Sequence, residues 1–507
     1  MPRSGRVALP VWVLICAVVA VFAILGFLIL TSRGRERENA AANPQVAVSS
    51  AQRRGPEGKP VTARPTPAIR DQVPVPLSEE SRRLLAQVPK NPGGTTDKEF
   101  LEDLLKLKER EKRDNALIHY VVGIWSAPEI PNGSPIDTAI TQVLNEGWSA
   151  DAECLRPYLA AWQPGFREIR KGVALDFAHG VGFEKGYATP LLNFLNIQYA
   201  AKGLCVEGCL FESEGRYSDA LDNYLAALAM GRDFTSPGST LISDVVGYSC
   251  ENTALERIRR LVAGGRLDAA SLDRLLARLG EIEKTLGSPI EAVTEEQKAK
   301  RLLIHAMKAD PKRRVITPTK VGLWDLAVRH DKRTWDEFWH DRITRYKMTH
   351  NLDRAERDLD DISALQIKIL NTPWWEYDWA QQLREMDERI EHAHILVRMG
   401  AYSYLEPSVQ FLLTQAALRA CRVSTAVAAW IAKHGAPPAA LRELQPDYFP
   451  NGLPVDPFSG KDFLYSITGG KNYHLSSPGP DKAVGGNAPV YDPTNGTVSR
   501  GDILFAP

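Results

Sequence analysis

The chain has 507 residues, 44% hydrophobic and 24% charged, a balance that excludes disorder throughout and leaves room for two or three domains. Its 62 Lys and Arg match 62 Asp and Glu, so no overall field favours nucleic acid or an acidic ligand, and no nucleic-acid partner is expected. Of six cysteines, Cys16 lies in an apolar N-terminal run, and the other five (Cys154, Cys205, Cys209, Cys250, Cys421) are odd in number, which excludes a fully paired disulfide scaffold.

Residues 1–6 form a short basic tail containing Arg3 and Arg6. From 7 to 30 no charge interrupts a run of Val, Leu, Ile, Ala and Phe, and about 20 such residues let a helix cross a bilayer. A single transmembrane helix is therefore predicted over residues 7–31, a signal anchor that makes the membrane a partner. A cleaved signal peptide is the rival reading, since the tail resembles a basic n-region. Against it, the apolar core is too long, and Leu28-Ile29-Leu30-Thr31-Ser32-Arg33 lacks small residues at the cleavage spacing. Arg33, Arg35 and Arg37 outnumber Arg3 and Arg6, which by charge alone holds the body inside. Long domains translocate largely regardless of charge, so the body is expected in the periplasm, outside a bacterial inner (cytoplasmic) membrane. Residues 32–78 follow as a linker. Between 39 and 76 they hold Pro, Ala, Gln, Arg, Val and Thr but no aromatic residue, and a disordered Pro-rich spacer is predicted.

Helical periodicity then begins. Phe100, Leu101, Leu104, Leu105 and Leu107 recur at helical spacing among Lys and Glu, and Pro92-Gly93-Gly94 and Pro131-Asn132-Gly133 punctuate the chain. Successive helical patterns with few strand-like alternations predict an all-helical domain over residues 79–405. Near 200–232, Leu204, Phe211 and Tyr224 form a seam, while Gly208, Ala220 and Ala227 let two antiparallel helices approach and Gly215 permits the turn. This pattern resembles one unit of the tetratricopeptide repeat. It departs from the repeat at Glu207, where a further apolar residue belongs, and at Arg232, where the closing proline belongs. No clear second copy follows. A single hairpin packed into a bundle is expected, with a partner-binding groove as the alternative, because about three units are needed to build one.

Three further clusters carry chemistry-bearing residues. Cys205 and Cys209 share a helix face as half a metal site does, but nothing nearby completes the set and packing is the expected role. Glu388, Glu391 and His394 fall at helical spacing and resemble the Glu-x-x-His motif of carboxylate-bridged di-iron bundles, without a second such motif. Trp374, Trp375 and Trp379, with Tyr377, form an aromatic group for which core anchoring is expected and a sugar or lipid platform is the alternative.

Residues 406–507 change character. A helix over about 408–434 places Val409, Leu412, Leu413, Ala416, Ala420, Val427 and Ile431 on an apolar face and ends at Gly435. Alternating runs at 463–467 and 473–476, parted by Gly469-Gly470, predict a β-hairpin. The order of this helix, Asp456-Pro457-Phe458-Ser459-Gly460-Lys461, the hairpin, Ser477-Pro478-Gly479-Pro480-Asp481 and Asp502-Ile503 resembles the C-terminal region of the type II secretion major pseudopilin. That resemblance implies a small α+β module in which Asp481 and Asp502 help hold Ca2+. Asp492 and Ser477 are extra candidate ligands in a loop whose oxygens suit a hard cation, and capped turns are the alternative role for these aspartates. Pseudopilins carry a processing site and join the module directly to their N-terminal helix; this chain does neither, which argues against a polymerising subunit.

The whole arrangement, including residues 238–247 (Gly238-Ser239-Thr240 to Val246-Gly247), resembles uncharacterised membrane-anchored proteins of planctomycetes and related bacteria, a likeness that implies an architecture and no activity. The fold expected is thus mainly α: a transmembrane helix, a helical bundle or TPR-like body and a pseudopilin-like module. The leading function is a non-enzymatic, envelope-facing structural or interaction protein with a protein partner. The alternatives are an envelope hydrolase, although no Gly-x-Ser-x-Gly, His-Glu-x-x-His or phosphate-binding Gly-rich loop occurs, and an accessory part of a type II secretion-like system.

Overall fold

A computed structural model describes residues 77–86, 95–126, 128, 130, 133–192, 194–309, 346–376, 378–398, 405–483 and 501–506. The predicted membrane helix, the Pro-rich segment up to residue 76, Tyr377 and Asp492 lie outside these residues. Among the described residues the architecture is mainly helical with one small three-stranded sheet, and no helix there is long and apolar enough to cross a membrane.

Helices α1 (Glu79–Ala86) and α2 (Thr95–Glu111) lead into α3 (Ala116–Trp125), whose sequence is apolar on nearly every face and so demands burial all round. Asn115 starts it by accepting the Leu117 N–H, the bond an N-cap supplies. α4 (Pro135–Glu146) starts on Ser134 with proline at the first turn. α5 (Arg156–Val173) crosses α3 where two glycines meet: a Cβ on Gly165 would stand 2.5 Å from the Gly123 carbonyl oxygen.

The predicted hairpin is formed by α6 (Phe194–Ser213) and α7 (Tyr217–Asp233). Gly215, at φ +76°, closes α6 while the Arg216 N–H reaches back to the Phe211 carbonyl at 2.9 Å. Gly208 lies under the Tyr224 ring, where a Cβ would stand 2.3 Å from Cε1. α8 (Leu241–Ala263) packs on α7 through another glycine pair, Gly231 and Gly247: a Cβ on either would stand within 3 Å of the other's carbonyl oxygen. α9 (Ala269–Lys284) and α10 (Pro289–Ala309) continue the bundle. α11 (Leu352–Asn371), α12 (Trp379–His392) and α13 (Ile395–Arg398) gather with the end of α10 around a second, smaller core containing Met307, Leu359, Ile362 and Met386.

The helix expected to open a separate module, α14 (Leu405–His434), packs along α8 and α9. Val409, Ala416, Ala420 and Val427 are buried as their spacing predicts, but so are Leu418 and Cys421 on its other sides. A helix wrapped on several faces belongs to both neighbours, and body and C-terminal residues share one core that includes Leu204, Ile258, Val427, Phe458, Phe463 and Leu475. Beyond α14, a turn of 3-10 helix and α15 (Gln445–Tyr448) lead to β1 (Leu464–Gly469), β2 (Asn472–Ser477) and β3 (Ile503–Ala506). All pairings are antiparallel in the order β1-β2-β3, with Tyr465 opposite Leu475 and Ser477 opposite Ile503.

Candidate functional site

The predicted ion-site residues are only partly brought together. Asp481, in the turn after β2, uses both carboxylate oxygens on backbone: Oδ1 accepts the Ala483 N–H at 3.1 Å and Oδ2 the Gly501 N–H at 3.0 Å. Asp502 precedes β3, and its buried Oδ1 has no hydrogen-bond partner among the described residues. Burial first and the Asp481 charge second hold the Asp502 carboxyl above the usual range, with His474 opposing. The Asp481 charge thus reaches Asp502, while Asp481 itself is tied to backbone. Ser477 does not join them. Its hydroxyl donates to Asp456 Oδ1 at 2.7 Å and accepts the Gly479 N–H at 3.1 Å. Asp456, fully buried, also takes the Ser459 N–H at 2.8 Å, so Ser477 bolts the Asp456–Lys461 turn to β2.

The two departures from the repeat pattern are buried charges, each held in an ion pair. Glu207, 5% exposed, accepts from Arg170 Nη2 at 2.8 Å and Asn223 Nδ2 at 2.7 Å, which ties α6 to α5 and α7. Arg232, 6% exposed, donates to Glu251 of α8 and, at 3.2 Å, to the Thr235 hydroxyl. Around this second pair lies a dense set of acids. Asp244 accepts the Ser239 hydroxyl at 2.5 Å, yet burial pushes its carboxyl up to about 8. Burial likewise lifts Glu251 to about 7 despite Arg232, and Asp233, bonded by the Tyr120 hydroxyl, to about 6. Glu251 Oε1 and Arg232 Nε have no hydrogen-bond partner among the described residues. Residues 238–247 build this seam: Thr240 caps α8, Ser239 holds Asp244, and Gly247 lets α7 approach. A sequence reading missed the seam because its residues are scattered over three helices and look like ordinary surface charge; Arg232 and Glu207, polar at positions of an apolar pattern, were the legible signal. The adjoining cavity, lined by Phe194, Phe234, Ser236 and Ser243, measures about 20 Å³, room for roughly one water.

A larger groove, about 330 Å³, opens where the end of α11, the α14 helix and the Asp456–Lys461 turn meet; Asn371, Trp375, Phe411, Leu412, Gln415 and Arg419 line it. The tryptophan pair divides its labour. Trp374 is 4% exposed, stands edge-on to Phe458 at 5.6 Å and donates its indole N–H to the Pro480 carbonyl at 3.1 Å, the anchoring role expected of the cluster. Trp375, its neighbour, is 42% exposed. Arg419, the one charged lining residue described, is occupied by Glu283 at 2.8 Å and the Val455 carbonyl at 2.9 Å.

The remaining sequence candidates are used for packing. Cys205, Cys209 and Cys250 are buried free thiols whose proton affinity burial raises, which makes them inert. α12 ends at His392, so His394 leaves the helix that carries Glu388 and Glu391; its Nε2 faces the His350 carbonyl at 2.9 Å and its Nδ1 the Leu396 N–H at 3.3 Å. Among the described residues no three metal-ligating side chains converge. No protein-family model matches the chain, and no curated protein or solved structure is significantly similar to it.

Proposed function

We propose that this protein is a membrane-anchored, envelope-facing binding protein without an enzymatic centre, which displays a helical body at a distance set by its Pro-rich segment. The anchor, spacer and placement rest on the sequence. The binding role rests on a separation within the fold: shifted acids and roomy concavity lie in different places. Catalytic acids and bases belong in a cleft that admits substrate. Here Asp244 and Glu251 are shut in the α7–α8 seam beside a water-sized cavity, with Asp233 half-buried next to them, while the groove at Trp375 is lined by aromatic, amide and paired groups. Affinity capture with the full-length, detergent-extracted chain tests the reading: a defined envelope component is expected to co-purify. Turnover of ester, peptide or glycoside substrates that is lost in Asp244→Asn or Glu251→Gln would overturn it. Protease shaving of intact cells tests the placement, and a body protected from outside contradicts it.

The order of α14, turn, hairpin and closing strand supports a pseudopilin-like module, and with it a calcium site at Asp481 and Asp502, with Asp492 as a further candidate. Bound there, the ion would supply positive charge beside Asp502, whose ionisation burial and the Asp481 charge disfavour. Saturating Ca2+ is expected to raise the melting temperature of the full-length chain by several degrees over chelator, an effect lost in Asp502→Asn. An unmoved transition in the wild type removes the ion site.

A further inference from the structure

We infer that the groove at Trp375 binds a neutral saccharide, one sugar ring stacking on the indole. This rests on reading the protein as a binding protein and names the ligand of its groove. An exposed tryptophan alone means little, since single apolar residues are common on surfaces. What distinguishes Trp375 is its seat. Gly460, at φ +67° in the Asp456–Lys461 turn, lies against the ring: a Cβ there would stand 2.5 Å from Cδ2, 2.7 Å from Cε2 and 3.0 Å from Cε3. Three such similar distances around the ring fusion mean contact through a face. The indole is therefore clamped from one side by backbone while 42% of the residue stays open. A pre-positioned aromatic loses little freedom on binding.

The polar groups name the ligand class. Arg419 is already neutralised, so the described lining offers no free charge to an ionic ligand. Gln415 and Asn371 make no side-chain hydrogen bond among the described residues, and their amides each offer donors and an acceptor. A purely apolar ligand leaves those amides unmatched, and an anion or cation finds no partner. A pyranose ring meets both demands, with apolar faces for Trp375 and hydroxyls for the amides. The groove's 330 Å³ lies at the small end of ligand pockets, about 300–1,000 Å³.

The test is calorimetric titration of the full-length chain, in a detergent without a sugar headgroup and without glycerol, with chitotriose, cellotriose and maltotriose, and separately with a decaproline peptide. At least one trisaccharide is expected to bind saturably. Trp375→Ala should weaken it about tenfold or more, Trp375→Phe less, and Gln415→Ala several-fold, each with an unchanged melting temperature. Absence of trisaccharide binding, or binding indifferent to both Trp375 variants, overturns the proposal. Decaproline binding lost in Trp375→Ala, without any sugar binding, also overturns it but leaves the binding-protein reading standing, because that reading is decided by the capture experiment.

Discussion

The α7–α8 seam and the groove at Trp375 spend polar groups in opposite ways. In the seam, Asp244, Glu251 and Arg232 are packed where water scarcely enters, with Asp233 half-buried beside them, and the shifted proton affinities of the three acids record desolvation. In the groove, amides and an indole face outward while the only described charge is consumed by Glu283. Strongly shifted titration is commonly taken as the mark of an active site. The comparison teaches that it marks a site only where a cavity of useful size adjoins it; otherwise it marks a structural bolt between helices.

The sharpest way to break this contrast is Arg232→Met, which leaves Glu251 buried without its counter-ion. A loss of about 3–5 kcal/mol is expected by denaturant unfolding, largely recovered when Glu251→Leu is added. If Arg232→Met is nearly neutral, the pair is not a bolt. Asp244→Asn acts through pH. A folded carboxyl near 8 against an unfolded one near 4 means that the folded chain holds the extra proton, so stability falls as pH rises between those values, by up to about 1.4 kcal/mol per unit. The amide keeps the Ser239 bond and does not ionise, so the variant should flatten melting temperature against pH over that window and melt higher than wild type at pH 8. An unaltered slope shows that Asp244 is not the responsible group. Ser477→Ala tests the module's own bolt: it strips the fully buried Asp456 of a donor and should cost about 1–3 kcal/mol. Smallest of all, Trp375→Ala is expected to change stability by less than about 1 kcal/mol, being exposed, whereas Trp374→Ala should lose about 3–5. Equal losses from the two would mean that Trp375 is a packing residue.

Much of the local structure was legible residue by residue. Gly215 predicts the α6–α7 turn because only a residue free to take positive φ closes a helix that way. The alternation around Gly469-Gly470 predicts the β1–β2 hairpin, and the spacing of Val409, Ala416 and Val427 predicts a buried face of α14. Of the candidate ion ligands, Asp481 and Asp502 do come near one another, but Ser477 is diverted to Asp456, a partner 21 residues away that no local pattern names.

Legible in the residues alone are periodic and local features: which stretches are helices, where glycine permits them to turn, which residue types must be buried. Pairing across distance emerges only in the folded chain. Gly123 had to find Gly165, and Gly231 had to find Gly247, before any helix crossing was defined. Arg232 had to meet Glu251 before a polar residue in an apolar pattern made sense, and Trp375 had to meet Gly460 before an exposed ring became a platform. Periodicity reports the face a residue presents, whereas steric fit and charge pairing depend on what the folded chain brings opposite that face.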